Sequence, residues 1–348
     1  MSFCYFVKSR FNKRPEPVVP DHVTDDMITV LLKVEPNQKN LRLDRFVSEK
    51  IRRLSRTKAA RIIEAGAYAL DGRRLKNNYR VRAGEYVCLY RPAPEEPHSP
   101  EHFKILFEDE ALMAVNKPAG LAMHPSARYH AGTLTRLLRD KYGDTRPVPV
   151  HRIDRETSGI VLLAKTPEAE RALKILFADR IIEKKYLAIV RGVPEPASGS
   201  IDVPLGPALN SAVRIKMGPR LDEEGAQAVT DYRTVKSGFI ETGESRTEVS
   251  LVEAVPHTGR QHQIRAHLSH IGHSVVGDKI YGPDESLFIR YLDEGMTDDM
   301  LKDLLLPRHA LHAFAISFVH PFTQKTTHID CPLPDDLEGV TLIGSGAD

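Results

Sequence analysis

Apolar positions along the chain recur with two periods, and the change of period outlines its parts. Leu43, Phe46, Val47 and Ile51 fall at helical spacing, as do Ala59, Ile62 and Ile63. Ser55 precedes the second run as an N-cap and Gly66 follows it. Asp71-Gly72 is a hairpin signal between short apolar runs, and residues 86–90 form a closing strand. This predicts a compact module of two small helices and a hairpin over residues 41–90. Farther on, residues 112–115 and 160–164 are short apolar strands. Helical spacing follows at Ala169, Leu173, Leu176 and Phe177, with Thr166 as N-cap and Pro167 at the first helical position. Residues 186–190, 249–255 and 313–319 are further strand candidates, so the larger part is mixed α and β. No internal repeat is visible, and the acidic, leucine-rich stretch 284–306 has the character of an insertion.

Composition narrows the class. A chain of 348 residues suggests about two domains. Apolar residues at 41% and charged residues at 28% exclude a mainly disordered or fibrous protein. The net charge is only +2, yet between Leu41 and Arg82 thirteen Lys and Arg face four acidic residues. Such a local excess, set among helix and turn signals, favours a polyanion-binding face over an ordinary solvated one. Its candidate contacts are Arg42, Arg52, Arg53, Arg56 and Lys58. Residues 91–102 follow as a linker, with four prolines between Arg91 and Pro100. Cys4, Cys88 and Cys331 are widely spaced and odd in number, which suits a reducing cytosol and forms no metal-type pair. No apolar run approaches the roughly 20 residues of a membrane helix, and residues 3–7 are too short for a signal-peptide core. A cytoplasmic protein without membrane partners is expected.

Two polar clusters could carry chemistry. The first is His151-Arg152-Ile153-Asp154-Arg155-Glu156-Thr157-Ser158-Gly159, ahead of the strand at Ile160. Arginines on both sides of Asp154 would hold it ionised, as a nucleophile or general base must be; an ordinary surface loop with ion pairs explains the same spacing equally well. The second runs from His257 through Gly259, Arg260 and Arg265 to His267, with His270 and His273 beyond. Histidines five apart rotate off one helical face and no His-Glu-x-x-His pair is present, so no metal site is expected. Arg260, after Gly259 at a strand-to-helix turn, is placed to meet a phosphate or a carboxylate. Nucleotide-cofactor and serine-hydrolase signatures are missing.

The ordered set Asn116-Lys117-Pro118-Ala119-Gly120-Leu121, the Asp154 cluster, Glu183-Lys184-Lys185-Tyr186-Leu187-Ala188 and the Arg260 cluster closely resembles the RluA-type pseudouridine synthases. Gly277-Asp278-x-x-Tyr281-Gly282 and Arg308-His309-Ala310-Leu311-His312-Ala313 extend the likeness, and residues 41–84 resemble an S4 RNA-binding domain. The resemblance spans about residues 41–325; Ile153 and Gln261 stand where the family commonly has Leu and Thr or another polar residue. It implies an isomerase that converts RNA uridine to pseudouridine, without cofactor or metal, on RNA that is ribosomal (large subunit) ahead of transfer RNA. By that likeness Asp154 attacks the uridine at ring or ribose, Tyr186 stacks on uracil, and Arg260 pairs with Asp154. Ile264 or Leu268 packs on the base, and Arg152 fills the gap left by the flipped nucleotide. Lys117 is structural or contacts phosphate. Tyr186 alone would pass for a core tyrosine. The expected fold is α+β, an S4-like αα-hairpin/β module before a catalytic domain on a mostly antiparallel mixed sheet. The expected divisions are an N-terminal extension (1–40), the module (41–90), the linker (91–102), the catalytic domain (103–335) and a tail (336–348), in a monomer.

Overall fold

A computed structural model describes residues 15–24, 27–51, 54–92, 96–126, 129–242 and 245–338. They form two compact units, one running to Pro97 and including Ser126–His130, the other containing the rest. Arg52 and Arg53 lie outside the described residues.

The first unit contains β1 (Met27–Lys33), α1 (Leu43–Lys50), α2 (Arg56–Gly66), β2 (Ala67–Ala69) and β3 (Tyr86–Pro92). Ser55 caps α2 through the Lys58 amide, as its position predicts. Leu43, Phe46, Val47, Ala59 and Ile63 interlock with Val87 and Leu89 in one apolar core. The expected extension 1–40 contributes β1, which pairs antiparallel with β3 along its whole length and so belongs to the module's sheet.

The second unit is built on a ten-stranded sheet. Its elements begin with β4 (Lys104–Glu108), β5 (Leu112–Lys117), α3 (Leu134–Tyr142), β6 (Val148–Pro149), β7 (Ser158–Ala164), α4 (Pro167–Ala178) and β8 (Glu183–Arg191). Then come β9 (Ser198–Asp202), a two-stranded ribbon of β10 (Leu205–Pro207) and β11 (Met217–Pro219), β12 (Val229–Thr242), β13 (Ser245–Pro256) and α5 (Gln263–His270). Helices α6 (Ser286–Glu294) and α7 (Asp298–Leu304) occupy the insertion, followed by β14 (Leu311–Val319), β15 (Thr326–Asp330) and α8 (Asp335–Glu338). The order is β4-β5-β7-β14-β8-β13-β12-β9, with β15 on β14 and β6 on β7. Every pair in it is antiparallel except β7 with β14. This is the α+β architecture the pattern predicts.

The apolar runs at 112–115 and 160–164 are continuous because both faces of β5 and β7 are covered. Leu112, Ala114, Ile160 and Leu162 meet Ala169 and Leu173 of α4, while Met113, Val115, Val161 and Leu163 meet Leu134 and Leu138 of α3. Gly159 sits where β7 starts its parallel pairing with β14: its φ is 109°, and a Cβ there would lie 2.2 Å from the Ala313 carbonyl oxygen. Only glycine lets the two strands join so close to the Asp154 loop.

Candidate active site

Asp154 stands on the loop between β6 and β7, and the residues after it are tied down. The Arg155 carbonyl accepts from Lys117 Nζ at 3.0 Å and from the Gly120 amide at 2.8 Å. Lys117 Nζ also bonds to the Pro118 and Leu121 carbonyls, each at 2.9 Å, so all three of these hydrogen bonds go to main chain. Glu156 accepts from Lys279 Nζ at 3.0 Å on both oxygens, and the Thr157 hydroxyl meets His309 Nε2 at 2.8 Å. The loop is a fixed mount.

The second half of the site comes from the turn into α5. Gln263 holds that turn: its Oε1 accepts from the Thr258 hydroxyl (2.7 Å) and the Arg260 amide (3.0 Å), and its Nε2 donates to the Val229 carbonyl (2.9 Å). His262 takes a left-handed conformation, φ 56°, as N-cap of α5. Arg265, in the first turn, then enters the site. Its Nε and Nη2 donate to Asp278 at 2.6 and 2.8 Å, and Nη1 reaches Asp154 Oδ2 at 2.8 Å. Fully buried Asp278 also accepts from the Ile280 and Tyr281 amides, at 2.9 and 3.0 Å. The guanidinium is thus oriented by a bidentate partner and presents one remaining edge to Asp154.

Burial would raise the Asp154 carboxyl, but the Arg265 charge, His262 and the Arg265 hydrogen bond outweigh it and hold it below the ordinary carboxylate value. Burial and then Arg265 push His262 down to about 4, so its ring is neutral near pH 7. The Tyr281 hydroxyl accepts from the Met217 amide at 2.8 Å and shares a hydrogen bond with His262 Nδ1 at 3.1 Å. His262 Nε2 lies 4.0 Å from Asp154 Oδ1. Burial, then the Asp154 charge, raises the Tyr186 phenol above its usual range, keeping it protonated.

Asp154, His262 and Arg265 line a cleft of about 500 Å³ in which Asp154 is the sole carboxylate among the described residues; Arg152, Arg180, Lys184 and Arg260 also belong to its lining. Tyr186 and Ile264 line it too. Three expectations need correction. Arg260 is at the cleft but donates to the Gln227 carbonyl at 3.0 Å; the cation on Asp154 is Arg265, because Arg260 precedes the helix while Arg265 lies in its first turn. Leu268 is one helical turn beyond Ile264 and is wholly enclosed in the core beneath α5, so it cannot touch a base. Lys117 has no accessible surface and contacts main chain, which removes the phosphate alternative. His267 is buried between Thr230 Oγ1 and the Val203 carbonyl, each at 2.9 Å. In the first unit Arg42 and Arg56 both hold Asp44, at 3.2 and 3.0 Å, and Lys58 is exposed. Among the described residues no cluster of His, Cys, Asp and Glu is placed to hold a metal.

Comparison with known proteins bears on the family of the chain. The RNA pseudouridylate synthase family model matches residues 111–270, which include Asp154, Tyr186 and Arg265. A Chlorobaculum parvum protein named as an RNA pseudouridine synthase is 35% identical over 321 residues, covering 88% of this chain and 95% of that one. The chain belongs to the RNA pseudouridine synthases. The synthase is accordingly an isomerase acting on RNA. It is also similar to ribosomal large subunit pseudouridine synthase D of Zymomonas mobilis (36% identity, 85% of this chain and 92% of that protein) and synthase C of Pasteurella multocida (33%, 89% and 92%). Among solved structures, human RNA pseudouridylate synthase domain containing 4 matches with a TM-score of 0.51 at 28% identity, over 68% of this chain and 90% of that one. The human domain containing 1 protein shares the fold, with a TM-score of 0.55 at 24% identity over 73% and 95%.

Proposed function

We propose that the synthase isomerises uridine in large-subunit ribosomal RNA, with Asp154 as the attacking carboxylate. The observation that carries this reading is the ion pair at the cleft floor. Among the described residues Asp154 is the sole carboxylate there, and it is kept ionised by Arg265, which takes the partner role first assigned to Arg260. A base stacked in a helix is out of reach, so the nucleotide flips into the cleft, at a cost of a few kcal/mol. Exposed Arg152, two residues before Asp154, enters the vacated space; Tyr186 and Ile264 hold the uracil. Asp154 attacks at ring or ribose, the N1–C1′ bond breaks, C5–C1′ forms, and the bond to Asp154 breaks again to free the carboxylate. N1 gains a proton and C5 loses one, so nothing is oxidised or reduced. The first unit, with Arg42, Arg56 and Lys58 on its basic face, acts as an S4-like anchor on phosphates. The names of the Zymomonas and Pasteurella relatives support the ribosomal target, and a cytoplasmic site of action goes with it.

The test is to incubate the purified enzyme with unmodified ribosomal and transfer RNA and to map pseudouridine by carbodiimide-dependent primer-extension stops. New stops confined to large-subunit RNA are expected. Stops only in transfer RNA would overturn the substrate assignment.

A further inference from the structure

The cleft has a second basic wall that the Asp154 chemistry does not use. Helix α4 ends in a Schellman motif: the Ile181 amide bonds to the Leu176 carbonyl at 3.0 Å and the Arg180 amide to that of Phe177 at 3.3 Å. The residue in the left-handed position is Arg180, φ 59°, where glycine is the usual occupant because a Cβ is disfavoured there. Lys184, at the start of β8, lines the same wall. The two cations are close enough that the Arg180 charge, after burial, lowers the Lys184 ammonium. No ion pair joins either to a carboxylate among the described residues; neighbouring Glu183 faces Lys185 instead, at 3.5 Å. An exposed guanidinium and a half-buried ammonium beside a nucleotide-sized cleft, the first on a backbone position that disfavours it, form an arrangement that an anion relieves.

We propose that Arg180 and Lys184 form a subsite for one backbone phosphate of the RNA strand that carries the target uridine. The assignment rests on RNA being the substrate. It gives the enzyme a grip on the strand beside the flipped nucleotide, separate from the anchor in the first unit. A phosphodiester suits the pair because its two free oxygens can take a guanidinium edge and an ammonium together.

The experiment uses the full-length enzyme and whichever RNA the wild type converts, so that failure of the target assignment is seen first. Arg180→Gln/Lys184→Gln should raise Kd and KM about tenfold and leave kcat at saturation unchanged, since binding alone is removed. The slope of log Kd against log salt should fall by about 0.7–0.9, the loss of one phosphate contact. Arg180→Gly provides a check of opposite sign. It should raise the melting temperature, by relieving the left-handed position, while weakening RNA binding. A methylphosphonate scan around the target uridine should find one linkage whose neutralisation weakens the wild type and not the double variant. An unchanged salt slope with unchanged Kd, or Arg180→Gly binding as tightly as wild type, would overturn the proposal.

Discussion

Replacing Arg265 by methionine should unhook two carboxylates at once, and the two losses can be measured separately. Asp278 has no accessible surface and would keep only the Ile280 and Tyr281 amides. Breaking a buried ion pair in this way costs about 3–5 kcal/mol, with little added cavity cost because methionine fills similar space. Asp154 is the functional half. Burial alone raises its carboxyl, and the Arg265 charge is what brings it below the ordinary value, so without Arg265 its pKa rises. The acid limb of kcat/KM, which reports the free enzyme, should then move to higher pH. Each unit of that rise costs tenfold in rate on the limb, or about 1.4 kcal/mol. Arg265→Lys is the informative companion. A point charge cannot span Asp278 and Asp154 as the fork does, so it should fold yet still show a shifted limb. The assay is tritium release from RNA labelled at uridine C5, across pH, beside thermal unfolding. An acid limb unchanged in both variants would refute the idea that Arg265 keeps Asp154 ionised.

Other outcomes follow from single features. Gly159→Ala should cost about 3–5 kcal/mol or abolish folding, given the 2.2 Å approach to the Ala313 carbonyl; near-wild-type melting would contradict the role given to that glycine. Burial pushes Lys117 down to about 7, below its ordinary 10.5, so between these values the unfolded chain binds a proton the folded one lacks. Its contribution to stability therefore rises with pH across that window, by up to about 1.4 kcal/mol per unit, and Lys117→Met should remove this dependence; equal pH slopes of melting temperature would count against it. Lys58→Gln should weaken RNA binding and lower the salt slope by about one contact without altering kcat, and an unchanged slope would mean that this face does not meet phosphate.

Much of the fold is written in periodicity. The helices over 43–50 and 56–66 and the strands at 112–117, 158–164 and 183–191 all stand where apolar spacing puts them. Strand β12 is invisible to that method. Its burial alternates irregularly around a register shift between Thr234 and Lys236, and three of its four exposed positions carry charge. Strand β1 was missed because it is completed by β3, more than fifty residues away. For the site, the loop of Asp154 was legible from its density of polar residues, and Tyr186 from its motif. The choice of Arg265 over Arg260 was not, because both fall within one motif and only the start of α5 separates them. Asp278 could have been found as the acid in Gly277-Asp278-x-x-Tyr281, since a buried guanidinium needs a buried carboxylate. Leu268 lies off the cleft that Ile264 lines because, four residues on, the chain has moved one turn deeper into the core.

The central claim is that the Asp154 carboxylate makes the bond that starts the isomerisation. It is tested most directly by single-turnover tritium release with Asp154→Asn, an isosteric change that removes only the charge. The account predicts a folded protein that binds the RNA as tightly as wild type and releases no tritium. Residual turnover of even a few per cent, with pseudouridine at the same position, would contradict it.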